Sequence, residues 1–336
     1  MNKIILGDVI EGLSTLPEKC VQTCVTSPPY FGLRDYGVEG QIGLEETPDA
    51  YVQRLVEVFR EVKRVLKDDG TVWLNLGDSY ASTKVGNTNG TYGKIKQKVG
   101  VNEDTRIRTI SQGLKHKDLI GIPWRVAFAL QVDGWYLRQD IIWSKPNPMP
   151  ESVTDRCTKS HEYIFLLSKS SKYYFNNQAI KEPAIYGSTG RLDRAIEGQK
   201  SNPTNQRNGI RPRDNRAGKG RIAYEGKRTE DITGKNGQES FVSISETRNK
   251  RSVWTVTTKP YKGAHFATFP SDLIEPCILA GSREGDLVLD PFMGSGTTAA
   301  VAIKNGRQYV GTELNPEYIK LAEQRLSTVQ TKLNLS

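Results

Sequence analysis

The sequence predicts an α/β protein built on a doubly wound, mostly parallel sheet. Three observations carry that expectation: short β-rich runs end in Gly, Ser or Pro, amphipathic helical stretches alternate with them, and the alternation lapses between residues 181 and 250 and then resumes.

Lys3 to Leu6 and Val21 to Thr26 read as buried strands that open into Gly7-Asp8 and Ser27-Pro28-Pro29. A helix follows. Thr47 suits its N-cap, Pro48 its first helical position, and Val52, Leu55, Val56, Phe59, Val62 and Leu66 form one apolar stripe before Gly70. Thr71 to Leu76 returns to a strand, and this β-α-β step implies a parallel pair. Pro123 to Val132 reads as helix and Trp135 to Trp143 as strand. Glu162 to Ser168 is another strand, expected to pair with one at Lys172 to Phe175.

From 181 to 250 Gly, Asn, Arg and Lys dominate without periodicity, as in an irregular lobe or a long insert. Order returns at Ser252 with a helix from Pro270 to Ala280, a strand from Leu287 to Asp290, a helix from Thr297 to Asn305, a strand from Gln308 to Gly311 and a last helix opened by Asn315-Pro316. The expected organisation is one domain in two halves, 1–180 and 251–336, with an insert at 181–250 and a basic loop at about 81–118.

Hydrophobic residues at 36% and charged residues at 25% place the chain among globular proteins rather than disordered or membrane ones. No apolar run reaches the roughly 18 residues of a membrane span, and the start turns acidic at Asp8, too soon for a secretory signal. A cytoplasmic, membrane-free protein is expected. Cys20, Cys24, Cys157 and Cys277 lack metal-ligand spacing and read as free buried thiols, so no metal site is expected. The net charge of +9 is concentrated: 181–250 carries +6 and 81–118 carries +5, leaving the remainder at −2. Such segments suit contact with a phosphate backbone, and they equally suit solvated loops.

Asp290-Pro291-Phe292-Met293-Gly294-Ser295-Gly296-Thr297-Thr298 lies where a strand ends and a helix begins. Glycines there let the backbone approach a ligand, and the helix start favours a carboxylate or other anion. No Lys precedes the threonines and Ala299 stands where a dinucleotide fingerprint has its third glycine, so an adenosyl ligand without pyrophosphate is indicated. Glu313, at the tip of the next strand, can accept from both ribose hydroxyls; alone it would read as a solvated strand-end acid.

Thr26-Ser27-Pro28-Pro29-Tyr30 ends a buried strand with two prolines, which remove amide donors and leave carbonyls free to accept. In isolation this is a rigid turn. Methylation of a base NH2 would give it a chemical role. Acceptors at the Ser27 side chain and the Pro28 carbonyl would take the two N–H bonds and aim the nitrogen lone pair, while Tyr30 stacks on a base swung out of the duplex. That chemistry needs no nucleophilic cysteine.

The Ser-Pro-Pro-Tyr loop followed by the Asp-Pro-Phe-x-Gly-Ser-Gly-Thr-Thr loop resembles the beta class of DNA amino-methyltransferases of restriction-modification systems, in which the catalytic motif precedes the cofactor motif. The resemblance spans nearly the whole chain. It implies a circularly permuted, Rossmann-like methyltransferase fold, S-adenosylmethionine as donor with S-adenosylhomocysteine as product, duplex DNA as substrate, and base flipping with direct transfer. It assigns catalysis to Ser27, Pro28, Pro29 and Tyr30, and the cofactor to Asp8, Phe269, Asp290, Pro291, Phe292, Gly294, Ser295, Gly296, Thr297 and Glu313. Phe292, Gly294 and Gly296 would line the methionine end, Glu313 would hold the ribose, and Asp8 would reach the adenine, although a plain loop Asp fits position 8 equally well.

His265 to Pro270 resembles the family's segment against the methionine moiety, and is also readable as a helix entry. Trp143 to Asn147 and Ser160 to Tyr163 resemble segments flanking the base pocket, with His161 also readable as a packed histidine. The insert falls where the family keeps its target-recognition region. Lys94, Lys96, Lys98, Arg106, Arg108, Arg211, Arg213 and Arg216 are the expected DNA contacts. A bacterial or phage origin, a cognate restriction endonuclease and a homodimer accompany the resemblance.

Within the family, Ser rather than Asp before Pro-Pro-Tyr points to cytosine N4 over adenine N6. Methylation of RNA or of a protein glutamine is a further enzyme reading, and a DNA-binding module with a vestigial cofactor fold is a reading from another class.

Overall fold

In the computed structural model, which describes residues 2–81, 113–184, 247–258 and 269–334, the chain begins with Asn2–Leu6 (β1) and passes into a short helix, Val9–Ser14 (α1). No apolar stripe of useful length marks α1 in the sequence. Asp8 makes it, capping the amides of Ile10 and Glu11 with one carboxylate oxygen.

Val21–Thr26 (β2) is buried along its whole length. Pro48–Val65 (α2) opens at Thr47, whose hydroxyl accepts from the Ala50 amide at 3.1 Å, and its Val52, Leu55, Val56, Phe59 and Val62 are all buried. Each such side chain contributes about 1.5–3 kcal/mol by leaving water. Leu66, read from sequence as the last residue of that stripe, instead opens the long strand Leu66–Leu76 (β3), because it pairs with Val21 at the head of β2.

Ile122–Val132 (α3), Tyr136–Ser144 (β4) and His161–Ser168 (β5) follow. The expected partner strand at 172–175 does not form. Both edges of β5 are already taken, antiparallel to β3 on one side and to β4 on the other. The 172–175 segment serves packing instead: the Tyr174 amide donates to the Asp69 carbonyl at 2.8 Å, and Phe175 stacks on Trp73.

After Glu182–Pro183 (β6), Thr247–Arg248 (β7) and Val253–Thr255 (β8), the remaining elements are Ser271–Gly281 (α4), Leu287–Asp290 (β9), Thr297–Lys304 (α5), Gln308–Glu313 (β10) and Pro316–Asn334 (α6). The sequence pattern does not predict β8. It adds three residues parallel to β4.

The main sheet runs β1-β10-β9-β2-β3-β5-β4-β8, and β5 alone runs against its neighbours. It is a doubly wound, mostly parallel α/β sheet. From β9 the chain builds outward through β10 to one side, while β2 and β3 build to the other, so the order reverses between β9 and β2. Ligands of such sheets bind beyond the carboxyl ends of the strands at that reversal.

By contacts the chain forms two units, Met1–Ile180 with Arg251–Ser336, and Lys181–Lys250. In the second, β6 and β7 pair antiparallel. All four cysteines are free; Cys24 and Cys277 are buried, whereas Cys157 is exposed, contrary to the expected burial, because it lies in the open loop between β4 and β5. Among the described residues no helix is long and apolar enough to cross a membrane, and no cluster of His, Cys, Asp and Glu is arranged to hold a metal ion.

Candidate active site

At the reversal point an open cleft of about 860 Å³ lies between the loops that follow β1, β2, β3, β9 and β10. Asp290, the last residue of β9, fastens its floor. Its carboxylate accepts from the Thr26 hydroxyl at the end of β2 (2.6 Å), the Thr298 hydroxyl of α5 (2.6 Å) and the Phe292 amide (3.0 Å). Burial raises the Asp290 carboxyl to about 7, against the opposing effect of those three donors.

One wall of the cleft is the loop after β9. Pro291, Phe292, Met293, Gly294, Ser295 and Thr297 line it, together with Glu313 at the end of β10. Glu313 is fixed from both sides, one oxygen accepting from the Gly294 amide at 2.7 Å and the other from the Asn315 amide at 2.9 Å. Burial shifts its carboxyl upward, offset in part by those amides.

Gly296 stands between the cleft-lining Ser295 and Thr297. It sits at φ +76° at the start of α5, and a Cβ there would lie 3.0 Å from that of Ala322 in α6, so the turn and the packing of α5 on α6 both call for a glycine. The Thr297 hydroxyl accepts from Arg325 at 2.7 Å, which ties the same turn to α6. Asp8 and Phe269 also face the cleft. Besides capping α1, Asp8 forms an ion pair with Arg54 at 3.1 Å.

The opposite wall is the loop after β2. Ser27, Pro28, Pro29 and Tyr30 all line the cleft. The Pro29 carbonyl accepts from the Tyr51 hydroxyl of α2 at 2.8 Å, whereas no hydrogen bond to the Pro28 carbonyl is found among the described residues. Tyr30 packs its ring against Gly77, just beyond the end of β3: a Cβ on Gly77 would fall 2.6 Å from the ring, so a side chain at 77 would displace it. Its hydroxyl donates to Glu162 at 2.7 Å, within 3.3 Å of the Asn75 side-chain oxygen, and receives the Ser27 hydroxyl at 3.4 Å. Burial first, and the Glu162 charge second, raise the Tyr30 phenol well above its ordinary range.

Asn75, Asp78, Lys145, Lys159, His161 and Glu162 complete this side. Lys145 forms an ion pair with Glu162 and lies 4.2 Å over the Trp143 ring. The Lys159 ammonium is buried and makes no hydrogen bond among the described residues, and burial lowers its pKa. His161 packs edge-on against Tyr163 at 5.3 Å.

Sequence reasoning missed Asn75, Asp78 and Lys159, and also the cleft-lining loop of Leu33, Arg34, Tyr36 and Gln41. The first two had a signal, since they stand at the carboxyl end of a predicted parallel strand, where ligands of such sheets bind. Lys94, Lys96, Lys98, Arg106, Arg108, Arg211, Arg213, Arg216 and His265 to Thr268 lie outside the described residues.

A family model described as DNA methylase matches residues 21–324, most of the chain. The chain belongs to the DNA methylase family. It is 47% identical over 320 residues to the Type II methyltransferase M.XycI of Xanthomonas campestris pv. cyanopsidis, covering 95% of this chain and 86% of the relative. Two solved structures share this methylase's fold. PvuII DNA methyltransferase (cytosine-N4-specific) aligns with a TM-score of 0.59 at 17% identity, over 99% of this chain and 91% of its own. A Thermus thermophilus chain complexed with S-adenosyl-L-methionine aligns with a TM-score of 0.56 at 21% identity, over 98% and 94%. The fold is thus that of the methyltransferases, with the Ser-Pro-Pro-Tyr loop of this methylase ahead of its glycine loop in the sequence.

Proposed function

We propose that this methylase transfers a methyl group to the exocyclic N4 amine of cytosine in duplex DNA, as the modification enzyme of a Type II system. The observation that carries the reading is the meeting of two acceptors, the Ser27 hydroxyl oxygen and the Pro28 carbonyl, with the Phe292–Ser295 loop in one cleft at the sheet's reversal point.

The donor is S-adenosylmethionine, and the residues present fit it. Glu313 is a preoriented carboxylate suited to two vicinal hydroxyls, and the buried Ser295 hydroxyl beside it has no hydrogen-bond partner among the described residues, a polar atom left for a ligand. Phe292 and Met293 supply apolar surface, and Asp8 lines the same side as Glu313, next to Gly7, whose amide donates to the Glu313 carbonyl. When bound, the donor offers an electrophilic methyl on a sulfonium.

The chain's own residues prepare the nucleophile. The base amine lone pair is delocalised into the ring. Acceptance of one N–H by Ser27 Oγ and the other by the Pro28 carbonyl favours a pyramidal nitrogen and turns its lone pair toward the methyl. Tyr30, immobilised by Glu162 and Gly77, gives a flipped base a fixed plane to stack on. The nitrogen sheds one proton after transfer, and Ser27 Oγ, hydrogen-bonded through the Tyr30 hydroxyl to the Glu162 carboxylate, is placed to relay it to that acid. Ser27 in place of an acid favours cytosine. The basic segments at 81–118 and 181–250, with Arg211, Arg213 and Arg216 foremost, hold the duplex backbone.

Methylation of duplex DNA with labelled donor, followed by digestion and mass spectrometry of the nucleosides, tests the reading. N4-methylcytosine is expected. N6-methyladenine would overturn the choice of base, and incorporation into RNA or protein but not DNA would overturn the substrate.

A further inference from the structure

We propose that Glu162 is a positioning residue that sets the direction of hydrogen bonding through Tyr30, and thereby makes Ser27 a pure acceptor toward the target amine. The inference rests on the functional reading above, in which Ser27 accepts an N–H of that amine.

A hydroxyl is both donor and acceptor, so a serine beside an NH2 group is not an acceptor by default, as a carboxylate would be. Something must occupy its proton. In this chain the occupant is identifiable by counting protons. Lys145 forms an ion pair with Glu162, and a carboxylate can only accept. The Tyr30 hydroxyl lies 2.7 Å from that carboxylate and gives it its single proton. The third neighbour, Asn75, cannot reverse this. Its amide nitrogen donates to the Tyr163 carbonyl at 3.0 Å and to Glu162 at 3.2 Å, which turns its oxygen toward Tyr30 at 3.3 Å.

The Tyr30 oxygen therefore faces two acceptors and keeps lone pairs for one donor. The Ser27 hydroxyl, 3.4 Å away, is that donor. With its proton directed onto Tyr30, Ser27 Oγ presents only lone pairs to the cleft. The sequence Lys145, Glu162, Tyr30, Ser27 thus gives a neutral serine the acceptor-only character of an acid, without a negative charge beside the base.

A double-mutant cycle on single-turnover methylation of duplex DNA tests this. Glu162→Gln can donate to Tyr30 and reverse the chain, so it should slow methyl transfer by roughly tenfold to a hundredfold, the worth of a hydrogen bond to a charged group. The Kd for S-adenosylmethionine should stay unchanged. Tyr30→Phe keeps the stacking ring and removes the link. In that background Glu162→Gln should cost almost nothing further. An equal cost in both backgrounds would overturn the proposal, because Glu162 would then act elsewhere.

If Glu162→Gln loses S-adenosylmethionine binding through misfolding, a second cycle decides. Tyr30→Phe should slow the unmodified enzyme but not Ser27→Ala, and equal slowing of both would overturn the proposal. Failure of the unmodified protein to methylate any DNA would instead overturn the functional reading on which it stands.

Discussion

Glu313 and Gly294 are joined by a 2.7 Å hydrogen bond from the glycine amide to the carboxylate, so the acid ending β10 and the loop after β9 form one wall. The carboxylate is thereby aimed before any ligand arrives. Glu313→Gln retains the shape and removes the charge, and it is expected to weaken S-adenosylmethionine binding about tenfold to a hundredfold. Calorimetric titration checks this, and an unaltered Kd would remove Glu313 from the donor site.

Ser27→Ala removes one of the two acceptors offered to the amine while leaving the opposite wall untouched. The methylation rate should fall by about a hundredfold or more, the usual cost of deleting one preorganised polar group at a reacting centre. Donor binding should stay near normal. Loss of donor binding with full activity at saturation would show that the serine works on the wrong side of the cleft.

Asp290 couples the site to pH. Burial lifts its carboxyl from 3.8 to about 7 in the folded chain. A carboxyl with a raised folded value binds its proton more tightly when folded, so its contribution to stability is complete below about pH 4 and is lost as pH rises from there through about 7. The melting temperature of the unmodified protein should therefore fall between about pH 4 and 7 relative to Asp290→Asn, which has no proton to release. Parallel curves for the two proteins would refute the assignment.

Gly296 holds φ +76° with Ala322 closely packed against it. Gly296→Ala forces a side chain into a left-handed turn and should cost about 1–2 kcal/mol, read as a lower urea midpoint. A loss of donor affinity greater than that destabilisation accounts for would place Gly296 at the donor itself.

Replacing Arg211, Arg213 and Arg216 by alanine should weaken DNA binding and flatten its salt dependence, by roughly 0.9 in slope for each phosphate that these side chains neutralise. An unchanged slope would place the phosphate-binding residues elsewhere.

Much of the fold was legible because single elements carried their own punctuation. Thr47-Pro48 and the stripe down to Val62 announce α2, and Leu287–Asp290 before a glycine loop announces β9. What sequence could not supply was pairing. Val21 reaches back to recruit Leu66 into β3, and β5 lies between β3 and β4, leaving 172–175 no edge to join. The candidate site divides similarly. Ser27 and Glu313 stand in local motifs, whereas Asn75 and Glu162 acquire meaning from contacts to Tyr30 that span 45 and 132 residues of chain. No local pattern encodes such separations.

The small ladder of β6 and β7 pairs Glu182 with Arg248 and Pro183 with Thr247, and the 2.9 Å ion pair between Glu182 and Arg248 closes it. The two ends of the 181–250 unit are therefore anchored to each other. Closure of the unit thus rests on residues at its own two ends, so exchanging the stretch between Pro183 and Thr247 for a relative's is expected to leave that clasp in place.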